Sequence, residues 1–236
     1  MTLSVGTRKV IALFFVVLLS LSAAAQTPAP STTEWENEAL KLRLFYPSDL
    51  VKGDATQAMS DGHLTLFGLS GASDSKLVEA TRCLRPVLLL ELPPSDAAVK
   101  TTTITATILL AELDINCLTP EQQKATTLLN DMAEIVNKVP GMKSITQPAT
   151  YTIGWQKVHM AAAQGLPKSS PTDPQLSGQL QLYTMGLSTN WSSHLLVWYF
   201  SSNSIDTLNR ITKTTVRFGR NQAAPLYPLT IGNATP

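Results

Sequence analysis

The sequence has few charged residues and almost no excess of either sign. Charged residues make up 15 % of the 236 positions, with 18 basic against 17 acidic side chains. A near-neutral chain gives no electrostatic reason to expect nucleic-acid binding, and it argues against a membrane anchor that works by charge alone. Apolar residues make up 44 %, so we predict a folded chain with a sizeable core.

The sequence also lacks the motifs that common catalytic and cofactor sites require. It contains no glycine-rich phosphate loop, no dinucleotide fingerprint and no Cys-x-x-Cys pair. Its three histidines are His63, His159 and His194, and their spacing matches no metal motif. We interpret them as surface or edge residues, and we predict no metal, no cofactor and no fixed catalytic residue.

Three segments match catalytic patterns only in part, and none of them predicts an active site. Gly68–Gly71 misses the serine-hydrolase pattern Gly-x-Ser-x-Gly by one position. Ser73–Lys76 matches the Ser-x-x-Lys motif of penicillin-recognising enzymes, but no Lys-Thr-Gly follows. Glu91, Glu112 and Asp114 fall near predicted strand ends, where a carboxylate pair could face one cleft, although solvated strand ends explain them more simply. The sequence therefore favours a protein that is not an enzyme.

The first 25 residues resemble an export signal. Arg8 and Lys9 precede Val10–Leu21, which is apolar except for one serine, and three alanines follow. This pattern predicts cleavage after Ala25. Because Gln26 stands where a lipoprotein would carry its cysteine, we expect a released periplasmic or secreted protein without a stable membrane anchor. Cleavage would remove two basic and no acidic residues, which changes the net charge from +1 to −1.

The sequence contains two cysteines, Cys83 and Cys117. In an oxidising compartment an even pair is a disulfide candidate. Two buried thiols are the alternative, since cysteine packs well as a small hydrophobe. The sequence leaves both possibilities open.

Four segments are predicted along the chain: a signal peptide over 1–25, a flexible linker over 26–37, a single domain over 38–218, and a C-terminal tail over 219–236. Proline and polar residues mark the linker and the tail. A second irregular stretch, residues 165–178, contains three prolines and predicts a long surface loop.

The periodicity of the domain predicts both strands and helices. Strands are expected at residues 42–46, 63–67, 87–92, 104–113, 151–163, 179–188 and 193–201, and helices at 75–84, 119–139 and from 203 or 204 onwards. Thr119 and Gln122 form a capping box at the start of the long helix. The run Leu195–Phe200 is apolar on both faces, which predicts a central strand covered on both sides. The fold class is therefore α+β, an antiparallel sheet with helices packed on it.

This order of elements resembles the PsbP-like fold, which photosystem II extrinsic proteins share with many secreted bacterial proteins of unknown role. The resemblance covers residues 38–218. It includes the early strand ending in Phe45-Tyr46-Pro47-Ser48, the long middle helix, three strands, and a closing helix that ends at Arg217-Phe218. It implies an accessory or partner-binding module that is not a catalyst, and it supplies no catalytic residues.

Trp155 and Trp191 are the residues we predict for a binding surface. Both fall at strand starts or turns, where an exposed aromatic side chain can anchor a partner. Packing at the rim of the core is the alternative for each. We expect a non-catalytic interaction module that binds another envelope or secreted protein. The alternatives are a small hydrolase whose site is assembled from distant residues and a small-ligand carrier.

Overall fold

The computed structural model describes residues 31–60, 79–93, 105–166 and 181–232. These residues form twelve strands. In chain order they are β1 (Thr32–Asn37), β2 (Leu42–Pro47), β3 (Val51–Gly53), β4 (Leu84–Leu92), β5 (Ala106–Leu113), β6 (Met142–Ser144), β7 (Ala149–Ile153), β8 (Gln156–Gly165), β9 (Leu182–Trp191), β10 (His194–Ser202), β11 (Thr215–Phe218) and β12 (Ala224–Pro225).

Short helices connect and cover the strands. The α-helices are α1 (Ala55–Ser60), α2 (Pro120–Lys124), α3 (Leu128–Glu134) and α4 (Ile205–Ile211), and 3-10 turns lie at Ile115–Cys117 and Ile135–Asn137. The strands come in runs that pair antiparallel and the helices are grouped between these runs, which is the α+β class that the sequence predicts. No helix within the described ranges is long and apolar enough to cross a membrane.

The large sheet is antiparallel and is buried on both faces. Its order is β3-β4-β5-β10-β9-β8-β6, and β7 pairs with β8 on the same side as β6. Strand β10 lies between β5 and β9, which confirms the central position predicted for Leu195–Phe200. Trp198 packs into the core on one face and Tyr199 into the core on the other. Strand β10 is apolar on both faces because each face packs into a separate core.

The small sheet covers one of these faces. Its order is β1-β2-β11-β12. The alternation of β2 places Leu42 and Leu44 inwards, and β11 adds Val216 and Phe218 to the same core. Helix α4 packs there as well through Leu208 and Ile211. The prediction that this helix ends at Arg217-Phe218 is wrong, because the helix ends at Ile211 and both residues belong to β11, which pairs with β2.

Helix α3 and the 3-10 turn after it cover the opposite face through Met132, Ile135 and Val136. The helix lies very close to β9, because a Cβ atom at Gly186 would lie 2.2 Å from the carbonyl oxygen of Ala133. Only glycine fits such an approach. The buried Tyr199 hydroxyl donates to the Met132 carbonyl at 2.9 Å, which anchors the helix to the sheet.

The long helix predicted over 119–139 is wrong in its continuity. The capping box is present as predicted: the Gln122 N–H donates to the Thr119 hydroxyl and the Thr119 N–H to the Gln122 side chain. However, α2 ends at Lys124, the backbone of the next residue, Ala125, is extended, and α3 begins only at Leu128. The side chain of Gln123 donates back to two earlier carbonyl groups. These bonds hold the start of α2 against the 3-10 turn that precedes it.

The strand predicted over 151–163 is also two strands. A two-residue turn at Gly154-Trp155 folds β7 back on β8. Gly154 has φ +60° and Trp155 is not in the left-handed region, which is the pattern of a type II′ hairpin turn. The Gly-x pair inside an otherwise apolar run was the available sequence signal for this turn.

The structure corrects both ends of the predicted domain. Residues 32–37 of the predicted linker form β1, in which Trp35 packs against the core between Glu34 and Glu36, and both carboxylates pair with Arg43. This is the period-two alternation of a strand.

The predicted tail is likewise part of the core. Leu226, Tyr227 and Ile231 are buried, and the side chain of Asn209 bonds both the N–H and the carbonyl of Ile231. The segment that follows Phe218 therefore packs against α4 and completes the core.

The two cysteines are bonded to each other. Cys83 precedes β4 and Cys117 ends the 3-10 turn after β5, with Cα atoms 5.5 Å apart. The backbone N–H of Asp114 also donates to the Cys83 carbonyl at 2.9 Å. Of the two alternatives that the sequence left open, the structure contains the disulfide.

Several predictions concern residues outside the described ranges. They are the signal peptide, the strand at 63–67, the first part of the helix at 75–84, most of the loop at 165–178, and the residues His63, Ser70 and Ser73.

Candidate functional site

The two tryptophans predicted for a binding surface lie at one end of the large sheet. We call this the turn end and define it by the β7–β8 turn (residues 154–155) and the β9–β10 turn (residues 192–193). Strand β8 begins at Gln156 beside the last residues of β9, and the Gln156 side-chain amide donates to the carbonyl of Asn190. The structure therefore brings Trp155 and Trp191 to neighbouring strand ends.

Trp155 is the most exposed large apolar side chain among the described residues. It is the second residue of the β7–β8 turn and is 90 % exposed. Because the type II′ turn is closed by Ile153 and Gln156, which pair in the ladder, the indole is held on a regular hairpin. An exposed tryptophan on a rigid element can bury a large apolar area at little entropic cost when a partner covers it.

Trp191 has a different environment. Its Nε1–H donates to the Leu40 carbonyl at 2.7 Å, and its ring lies 5.2 Å from that of Phe218. It is half-buried and packs against the core between the two sheets. The rim-packing alternative applies to Trp191, and the predicted binding surface is reduced to Trp155.

Other exposed side chains accompany Trp155 on the hairpin. Thr150, Thr152 and Lys157 are exposed, and His159 is partly exposed on the same face as Lys157. The Thr150 hydroxyl and His159 Nδ1 form a hydrogen bond of 3.1 Å. Burial and, to a lesser extent, the charge of Lys157 lower the pKa of His159. The sequence from 135 to 166 contains no carboxylate, so this hairpin carries positive charge only.

The carboxylates considered for catalysis do not share one cleft. Glu112 lies 2.6 Å from His194 Nδ1, and Asp114 pairs with Arg85. Glu91 lies opposite Val51 and Thr107, six residues further along β4 than Arg85, which is about 20 Å at the rise of a strand. Glu112 and Asp114 are thus near each other, but each already pairs with a basic side chain.

The two described histidines do not meet. His159 pairs in register with Ser188 and lies on the α3 face of the sheet, whereas His194 lies on the opposite face with Glu112. Within the described ranges, no group of three metal-ligating side chains occurs.

One surface of this region was missed by sequence reasoning. Because residues 151–163 were predicted as one continuous strand, the sequence did not predict the β7–β8 hairpin or its edge strand β7. The ion pairs at the turn end were missed as well, since sheet register alone brings Arg85 to Asp114 and His194 to Glu112.

No protein-family model and no curated protein sequence matches this chain. Among solved structures, the chain is similar to the solution structure of cyanobacterial PsbP (CyanoP) from Synechocystis sp. PCC 6803. That match has a TM-score of 0.37 and 10 % sequence identity, and it covers 78 % of this chain and 86 % of that chain. A likeness of this degree carries no argument about fold relationship or function.

Proposed function

We propose that this protein is an exported, non-catalytic module that binds another protein through the β7–β8 hairpin, with Trp155 as its anchor. The observation that carries the proposal is the 90 % exposure of this indole at the tip of a regular hairpin. Tryptophan is among the residues that contribute most to binding energy at interfaces.

Export is supported by two independent features. The first 25 residues have the basic start, apolar run and small residues of a signal peptide, with cleavage after Ala25. The Cys83–Cys117 disulfide is the second, since such bonds persist mainly in oxidising compartments. The mature protein of the proposal begins at Gln26 and acts in the periplasm or outside the cell.

A binding role without catalysis is supported by the placement of the three carboxylates that the sequence offered for a hydrolase. A catalytic acid or base needs an available proton site beside a nucleophile or substrate. Here Glu112 and His194 pair with each other, and Asp114 pairs with Arg85. Glu91 lies about 20 Å from this pair of contacts along β4, so the three carboxylates that the sequence offered for a hydrolase do not face one cleft.

Site-specific photo-crosslinking tests the proposal. Mature protein (residues 26–236) carrying a photo-reactive phenylalanine analogue at position 155 is irradiated in the native envelope or secreted fraction. The matched control carries the analogue at position 229, because Leu229 is also an exposed apolar residue, at 63 %. We expect one saturable adduct from position 155 and none from position 229.

Competition makes this test specific for the indole. Excess unlabelled wild-type protein should abolish the adduct, whereas the Trp155→Ala variant should compete at least tenfold less well. Equal competition by both proteins, or equal labelling from positions 155 and 229, would contradict the proposal. Substrate and ligand screening for the hydrolase and carrier alternatives would then follow.

A further inference from the structure

The edges of the two sheets differ in how well they are protected against pairing with another strand. An unpaired edge strand presents free backbone donors and acceptors, and proteins commonly protect it with charge, proline or short length. Within the described ranges, five strands lie at edges: β1 and β12 in the small sheet, and β3, β6 and β7 in the large sheet.

Four of these edges carry such protection. Strand β1 has Glu34 and Glu36, and β12 has two residues and ends in Pro225. Strands β3 and β6 have three residues each and contain Lys52 and Lys143. Strand β7 is different, because its five residues, Ala-Thr-Tyr-Thr-Ile, include no charge and no proline. Its threonines, tyrosine and isoleucine also favour the extended conformation.

The register shows which backbone groups of β7 face outwards. A two-residue turn closes at Ile153 and Gln156, so Ile153, Tyr151 and Ala149 bond to β8. The N–H and carbonyl groups of Thr150 and Thr152 therefore point away from the sheet. The bond from Ile145 N–H to the Ala162 carbonyl agrees, because it shows that even-numbered residues of β8 face this edge.

The outward groups are accessible and the strand is firmly held. Thr150 and Thr152 are both exposed, and no described residue forms a backbone hydrogen bond to them across this edge. Tyr151 points inwards, where its hydroxyl donates to the Leu226 carbonyl and its ring contacts Tyr227 edge-on at 5.8 Å. The edge is thus an ordered template for another strand.

We propose that β7 pairs with β7 of a second copy of this chain, antiparallel and about a two-fold axis through Tyr151. In this register Thr150 lies opposite Thr152 of the other copy, and the two pairs exchange four backbone hydrogen bonds. The arrangement is isologous, as closed dimers require. The large sheet then continues across both copies.

A second copy fits this edge because the strand is complementary to itself. It presents the same outward donors and acceptors at two positions related by the axis, and it carries no charge that would repel its own copy. Threonine opposite threonine is a favourable cross-strand pair. The same pairing at β1 would bring Glu34 and Glu36 near their own copies, which disfavours that edge.

Sedimentation equilibrium of mature protein from about 1 to about 500 µM, which spans the dissociation constants of weak complexes, tests association. We expect a reversible dimer for the wild type and at least a tenfold weaker one for Thr152→Lys. Thr152→Pro should act in the same way, since it removes an outward N–H and leaves the bonds to β8 intact. Thr33→Lys on β1 is the matched control and should dimerise like the wild type. Unfolding curves confirm that each variant is folded.

Cysteine pairing tests the register. A mixture of Thr150→Cys and Thr152→Cys proteins, distinguished by mass, should form the mixed disulfide at least tenfold more than either protein alone forms its own. Only the mixed pair would lie directly opposite in the proposed register, within the range of about 4.4–6.8 Å between Cα atoms that a disulfide spans.

Three results would overturn the proposal: a wild-type monomer throughout the concentration range, equal dimerisation of the Thr152 variants, or no preference for the mixed disulfide. If the wild type is a monomer and the Thr152→Lys variant no longer crosslinks to its partner, the β7 edge pairs with a different protein. The proposal does not depend on Trp155, and Trp155→Ala should leave the dimer constant within twofold.

Discussion

Two hairpins at the turn end of the large sheet carry a tryptophan at or beside the turn. Only one of the two tryptophans packs against the rest of the protein. The β9–β10 hairpin is held from several directions: Trp191 bonds to Leu40 and packs on Phe218, and His194 pairs with Glu112. The β7–β8 hairpin projects Trp155 into solvent. The two indoles look alike in sequence and differ in what surrounds them.

This difference shows when an aromatic residue at a turn is a candidate site. The small sheet lies over the end of β9, so its Leu40 and Phe218 reach Trp191. The indole there satisfies its N–H and fills the rim of the core, which is a structural role. No such contact is recorded within the described ranges for Trp155, and its exposure is therefore available for function.

The largest predicted effect concerns the Cys83–Cys117 disulfide, which lies at the same end of the large sheet as the β9–β10 hairpin. Replacing both cysteines, Cys83→Ala and Cys117→Ala, should lower the free energy of unfolding by about 3–4 kcal/mol on the chain-entropy model. Urea denaturation measures it, and wild-type protein treated with reductant should lose a similar amount. Alkylation of both thiols in the denatured, unreduced wild type would contradict the disulfide itself.

The next prediction compares the two tryptophans directly. Trp191→Ala should destabilise the protein by about 2–3 kcal/mol, because it removes a half-buried ring and leaves the Leu40 carbonyl without its donor. Trp155→Ala should change stability by less than about 0.5 kcal/mol. Urea denaturation of both variants decides the point, and similar losses would remove the distinction between the hairpins.

The turn residues should respond in opposite directions. Ser192 and Ser193 have φ values of 47° and 68°, which is costly for residues with a Cβ atom. Ser193→Gly should therefore stabilise the protein by about 1 kcal/mol.

In the β7–β8 turn the left-handed position is already glycine. Gly154→Ala, at φ +60°, should destabilise by about 1 kcal/mol, although the nearest atom to the new Cβ is 3.8 Å away. Thermal unfolding of both variants provides the measurement. A loss on Ser193→Gly would show that the Ser193 hydroxyl contributes more than the strained backbone costs.

The smallest effect is the pH dependence of the β7–β8 hairpin. Burial, followed by the charge of Lys157, lowers the pKa of His159 in the folded state. Its contribution to stability is therefore complete above the ordinary histidine pKa of about 6.5 and is lost as the pH falls below that value. Stability should fall from pH 7 to pH 5 more steeply in the wild type than in His159→Asn. Parallel curves would contradict this assignment.

Local sequence signals predicted the elements that local forces determine. The alternation of Leu42, Leu44 and Tyr46 predicted β2, the doubly apolar run predicted the central β10, and Thr119 with Gln122 predicted a capped helix start. Each depends on side-chain periodicity or on hydrogen bonds within a few residues. The same signals did not show where the helix after Thr119 ends, because the apolar residues from Ala125 to Val139 keep helical spacing across the break between α2 and α3.

The candidate site was predictable only in part. The sequence singled out two tryptophans at turns, but the Leu40 carbonyl that binds Trp191 lies 151 residues away in the chain. The edge strand β7 became visible only once the turn at Gly154 divided a run that the sequence predicted as one strand.

The sequence by itself determined the α+β class, the central strand, the capped helix start and the pair of cysteines that can bond, because these follow from composition, periodicity and short-range bonding. Only the tertiary structure decided that residues 32–37 and 226–231 belong to the core, that Trp191 supports the framework while Trp155 is exposed, and that β7 is an unprotected edge among the described strands. These features depend on contacts between residues far apart in the chain, and such contacts form only when the sheets and helices pack.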